Sequence, residues 1–122
     1  MATTTETLSK KNFTSPDETR RFAHGLTDVV EMGGMTLGMA VFEPGWKWSN
    51  DVKPLVDTES CQVRHLGYFV SGRLHVVLDD GTEMDFAPGD VALIPVGHDA
   101  WTVGDEPAVF LQVLNADVYA KR

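Results

Sequence analysis

The chain has 122 residues, of which 43% are hydrophobic and 23% charged, a balance that suits one compact domain and excludes a disordered segment. Eighteen acidic against ten basic residues give a formal charge of −8. A surface that acidic repels phosphate backbones and anionic lipid, and Lys10–Lys11 and Arg20–Arg21 are isolated pairs rather than a basic patch, so no nucleic acid or membrane partner is expected.

In chain order, residues 1–14 are Thr-, Ser- and Lys-rich, without the apolar run of a signal peptide, and read as a flexible tail before a single domain over 15–122. Ser15, Pro16, Asp17 and Glu18 make a helix-start signal: a capping hydroxyl, a proline where its missing N–H costs nothing, and two acids at the positive dipole end. With Gly25 as the stop, a short helix over about 16–23 is expected, with His24 at its negative end.

Beyond Gly25 the pattern is strand. Met35, Leu37, Met39 and Val41 alternate with Thr36, Gly38 and Ala40, which is the two-residue period of extended chain. Pro44–Gly45, Ser71–Gly72, Asp80–Gly81, Pro88–Gly89 and Pro95–Gly97 punctuate further strands at Gln62–Val70, Arg73–Leu78, Glu83–Phe86, Val91–Ile94, Ala100–Val103 and Ala108–Leu114. In the second of these Leu74, Val76 and Leu78 should face in, with Arg73 and His75 facing out. Many short strands joined by Gly/Pro turns define an all-β sandwich or barrel over about 26–115. The single cysteine, Cys61, has no intrachain partner, and the absence of an apolar run of about 18 residues argues against a membrane span. Together these suggest a reducing, cytoplasmic setting.

The spacing of glycines and prolines resembles the cupin family. Cupins carry two motifs, G(x)5HxH(x)3-4E(x)6G and G(x)5PxG(x)2H(x)3N. Here Gly89 is followed by DVALI and then Pro95, Val96 and Gly97, while His65 precedes Gly72 as the glutamate of the first motif would. The resemblance covers roughly Met35–Val113 and implies a cupin-type double-stranded β-helix, a jelly-roll barrel. It does not extend to the metal ligands. Counting back from Gly72, the family's Glu position is His65 and its HxH positions are Glu59 and Cys61; counting forward from Gly45, the HxH positions are Asp51 and Lys53. In the second motif the His position is Ala100 and the Asn position Gly104.

A different donor set lies beside those positions. In an extended segment residues 59, 61, 63 and 65 share a face, so Glu59, Cys61 and His65 can converge, with His98 arriving from the second motif. A thiolate with two imidazoles suits iron, zinc, nickel or copper rather than magnesium or calcium. On this reading Cys61, His65 and His98 hold the metal, and Glu59 is a fourth ligand or proton carrier. The competing reading uses no metal: His65 and His98 act as acid, base or hydrogen-bonding groups of a small-molecule pocket, with or without catalysis. Trp46, Trp48, Tyr68, Phe69, Ala100 and Trp101 are the expected pocket walls, and residues 46–58 an unusually long connection around which Asp51, Asp57 and Glu59 form a solvated acidic loop. Jelly-roll edges favour pairing, so a homodimer through edge strands or the N-terminal segment is expected.

Overall fold

The computed structural model describes residues 6–116 and Tyr119. Among the described residues nine strands follow in order: β1 (Glu18–Phe22), β2 (Gly25–Met32), β3 (Met35–Phe42), β4 (His65–Ser71), β5 (Arg73–Leu78), β6 (Glu83–Phe86), β7 (Val91–Ile94), β8 (His98–Val103) and β9 (Ala108–Leu114). Two one-turn helices, α1 (Trp48–Asp51) and α2 (Lys53–Val56), lie in the long connection. All pairings are antiparallel. A six-stranded sheet, β1-β2-β3-β9-β4-β7, faces a three-stranded sheet, β6-β5-β8. The all-β architecture expected from the turns, and the jelly roll that the resemblance implied, are the fold observed.

The expected helix at 16–23 is instead β1. Two helical turns lie below the length at which an isolated helix sustains itself, whereas the extended chain pairs with β2 along its whole length, from Glu18 opposite Val29 to Phe22 opposite Gly25. Asp17 serves the sheet rather than a helix dipole: its carboxylate accepts from the Glu31 amide at 2.8 Å and from Lys11 Nζ at 2.9 Å. His24 therefore sits in the β1–β2 turn at a left-handed φ of 62°, with Nδ1 3.2 Å from Asp51 Oδ1, and not at a helix end. Of the expected tail, residues 1–5 lie outside the described residues; residues 6–12 are exposed and carry no regular structure.

The core lies between the sheets. Along β4 His65, Gly67 and Phe69 are buried while Leu66, Tyr68 and Val70 are exposed, and along β5 Leu74 and Val76 point in as the alternation required. Gly67 admits no side chain: a Cβ there would stand 2.1 Å from the Leu111 carbonyl oxygen and 2.6 Å from the Phe110 ring, so β4 and β9 close tightly behind the site. Phe42 stacks on Trp46 at 4.1 Å, with Phe22 and Tyr119 packed around them, so aromatic rings fill the end of the barrel where β1 and the last described residue meet. Arg20 ties that end together by donating to the carbonyls of Ala116 (3.0 Å) and Tyr119 (2.9 Å). In β3 the inward set is Gly38, Ala40 and Phe42, and Met35, Leu37, Met39 and Val41 occupy the outer face.

Candidate metal centre

Three connections bring the candidate donors to one point. His65 opens β4 and His98 opens β8, one in each sheet. Cys61 lies in the irregular chain before β4 and is fixed by an isolated antiparallel bridge to His98. In that bridge the Cys61 amide donates to the His98 carbonyl at 2.8 Å, and the Gly97 amide donates to the Cys61 carbonyl at 2.7 Å. The glycine of the Pro–x–Gly turn makes this possible, because its φ of 83° is costly for other residues. The turn that carries the family resemblance thus also aims His98.

The Cys61 Sγ and one imidazole nitrogen each of His65 and His98 lie within 4.8 Å of one another, and all three residues are buried. Cys61 Sγ stands 3.6 Å from His65 Nε2. In a tetrahedral zinc site, bond lengths of about 2.3 Å to sulfur and 2.0 Å to nitrogen put neighbouring ligand atoms about 3.5 Å apart. The Cys61–His65 separation already meets that spacing, and an approach of at most about 1.3 Å closes the rest. His98 Nδ1 is 2.7 Å from the Pro95 carbonyl oxygen, to which it donates, so the tautomer leaves the Nε2 lone pair free. His65 is held by a hydrogen bond with the Gln112 side chain. A donor set of one sulfur and two oriented imidazoles, backed by a carbonyl and an amide, fits a transition metal.

Without a metal the cluster is neutral. Burial pushes the Cys61 thiol up to about 11. Burial, with His98 adding to it, pushes the His65 ring down to about 3, and burial lowers His98 as well. Desolvation disfavours each charged form; the nearby Asp99 and Asp79 carboxylates favour a protonated His98 but do not offset its burial. A divalent ion would reverse this for the thiol by displacing its proton.

Two cavities meet at the cluster. One, of ≈ 20 Å³, is walled by Phe42, Trp46, Trp48, Ala100 and the two histidines, and has room for a single water. The other, of ≈ 100 Å³, is bounded by Trp48, Val52, Val56, Cys61, Val63 and Tyr119. Tyr119 separates them and lies 5.1 Å, edge to face, from the His65 ring. Trp46 Nε1 is buried and has no hydrogen-bond partner among the described residues. An unpaired buried donor costs about 1–3 kcal/mol, so a ligand bringing an acceptor to the indole would recover that.

Several expected site residues lie elsewhere. Glu59 is excluded from the cluster: its side chain is fully exposed, and its nearest partner is Lys53 Nζ at 3.4 Å. The chain from 59 to 65 is not one regular strand, since β4 begins only at His65, and the assumed alternation fails at Glu59. Tyr68 projects from the outer face of β4, opposite in direction to His65 and Phe69. Phe69 is core, stacked on Phe86 at 5.3 Å, and borders neither cavity. Trp101 lies on the outer side of β8, against His75 at 4.7 Å and beneath Lys47 Nζ. Asp51, expected in solvent, is buried and accepts from the Lys47 amide at 2.9 Å. Trp46, Trp48 and Ala100 do line the cavity at the histidines. Sequence reasoning missed Gln112 and Tyr119. Gln112 had a signal, an amide at an inward position of the apolar run AVFLQVL, whereas Tyr119 follows the last strand and had none.

No protein-family model matches the chain. A stretch of 59 residues is 39% identical to the oxalate decarboxylase OxdC of Bacillus subtilis, a match covering 43% of this chain and 15% of that protein. Among solved structures, the polyketide cyclase RemF of Streptomyces resistomycificus superposes with a TM-score of 0.63 at 17% identity, over 88% of this chain and 79% of the cyclase. A protein of unknown function from Rhizobium leguminosarum gives 0.61 at 20% identity, over 89% and 97% of the two chains. The oxalate decarboxylase of Lactobacillus farciminis, in its formate complex, gives 0.58 at 22% identity over 84% of this chain and 32% of its own. The chain is a cupin-fold protein, as the glycine and proline spacing indicated. It spans about a seventh of the curated decarboxylase and a third of the solved one, and these likenesses carry the fold and not the activity.

Proposed function

We propose that this small cupin binds one divalent transition metal, iron, zinc, nickel or copper, through Cys61, His65 and His98, and acts on a small molecule inside the barrel. The observation that supports it is the convergence of one sulfur and two imidazole nitrogens within 4.8 Å in a buried setting. Three protein ligands leave a coordination position for substrate, where the metal would supply Lewis acidity for an oxygenation, isomerisation or lyase step. The chain's own groups do the rest. Pro95 and Gln112 keep the two imidazoles aimed, the aromatic walls exclude water, and Trp46 Nε1 offers a hydrogen bond to an acceptor on the bound molecule. Glu59 takes no part. The buried free thiol suits a reducing, cytoplasmic location.

A second reading, a metal-free cupin that binds or senses a small ligand, is favoured by the smallness of the cavity at the histidines and by the neutrality of the cluster. Elemental analysis of untagged protein separates the two. The metal reading expects close to one ion per chain and a loss of at least tenfold in affinity for His65→Ala. Protein that stays metal-free after supply of iron, zinc, nickel and copper refutes it and leaves the binding module.

A further inference from the structure

The two cavities at the donor cluster differ in what they can hold. The smaller, on the imidazole side, is lined by Trp46, whose buried N–H is unpaired, and has room for one oxygen-sized group. The larger, on the sulfur side, is walled by Val52, Val56 and Val63 with the Trp48 and Tyr119 rings, and the exposed Gln62 stands at its rim. Its wall of valines and rings asks for apolar contact. A cavity of about 150 Å³ takes benzene, so ≈ 100 Å³ suits a body of about three or four carbons.

Charge narrows the choice further. A divalent ion held by one thiolate and two neutral imidazoles is left with a single net positive charge in a buried setting, and one negative charge on the ligand neutralises it. A second negative charge meets only repulsion, because the side chains whose charges reach Cys61 and His98 are the acids Asp99 and Asp79. Both are held in place: Asp99 accepts from the Ser49 amide at 3.1 Å and the Ala100 amide at 2.9 Å, and Asp79 accepts from the Ser60 hydroxyl at 2.9 Å. Among the described residues no lysine or arginine lines either cavity.

We propose, resting on the metal reading above, that the molecule taken at this centre is a monoanion with a short apolar body, of the class of a monocarboxylate of about four carbons. Its acid group lies at the donor cluster, where the Trp46 N–H gains an acceptor, and its chain lies among Val52, Val56 and Val63. A dicarboxylate of the same length is rejected, because its second charge would be buried without a counter-ion.

The test uses the full chain loaded with cobalt(II), whose visible absorption reports both the thiolate and any change in the ligand shell. It is titrated with butyrate and with succinate, which match in carbon number and differ by one charge. A thiolate charge-transfer band is expected on loading. Butyrate should shift the spectrum saturably, and succinate should bind at least about fiftyfold more weakly. Trp46→Phe should weaken butyrate about tenfold at unchanged cobalt content. Absence of the thiolate band would overturn the metal reading and the ligand assignment with it. With the band present, succinate binding as tightly as butyrate, or neither acid shifting the spectrum, overturns the ligand assignment alone. The wild-type ratio of the two acids decides this even where Trp46→Phe fails to fold; a folded Trp46→Phe that binds butyrate as well as wild type also overturns it.

Discussion

Acid should destabilise the metal-free protein through His65. In the unfolded chain its imidazole titrates near 6.5, whereas burial and the neighbouring His98 hold it down to about 3 in the fold. The folded pKa is depressed, so below 6.5 the unfolded chain takes up the proton first. The associated stability is present above 6.5 and is lost as the pH falls towards 3. Between pH 7.5 and 5.0 linkage gives a loss of about 2 kcal/mol from His65 alone, approaching 1.4 kcal/mol for each further unit. His98, lowered by burial, adds in the same direction. The assay is urea unfolding of chelator-treated protein at both pH values, read by fluorescence of the three tryptophans. His65→Gln, which keeps a buried polar group and cannot charge, should show a drop smaller by about 2 kcal/mol. Equal drops in the two proteins would refute the claim that His65 is buried and neutral.

Two further outcomes bear on residues outside the cluster. Glu59→Ala should leave metal loading within about twofold of wild type, because the carboxylate is solvated and meets only Lys53; a loss of tenfold or more would return Glu59 to the shell. His75 is raised above 6.5, first by its hydrogen bond to Asp85 and then by Glu83. Its proton NMR titration should therefore end above that of a free imidazole, and Asp85→Asn should bring it down; no change on substitution would mean that the pair does not form in solution. The stabilisation this group lends is present below 6.5 and fades as the pH rises through its folded value.

The container was legible in the sequence because turns are local. Gly72, Gly89, Pro95 and Gly97 are read one residue at a time, and each marks a reversal that the fold needs wherever the rest of the chain goes. His98 was legible for the same reason, since it follows Gly97 directly, whereas Cys61 and His65 were found by counting back from Gly72. Glu59 was misplaced because parity holds only inside a regular strand, and the bridge at Cys61 is followed by irregular chain up to His65. The helix at 16–23 was misread because a local capping signal competed with a long-range pairing to β2 that no short window contains. Tyr68 and Trp101 were assigned to the pocket for their aromaticity alone, although each stands at the outward parity of its strand.

X-ray absorption at the edge of the bound metal tests the centre most directly. One sulfur at about 2.3 Å with two imidazole nitrogens at about 2.0 Å is the shell expected of Cys61, His65 and His98. A shell of oxygen and nitrogen alone, or a spectrum unchanged by Cys61→Ser, would contradict it.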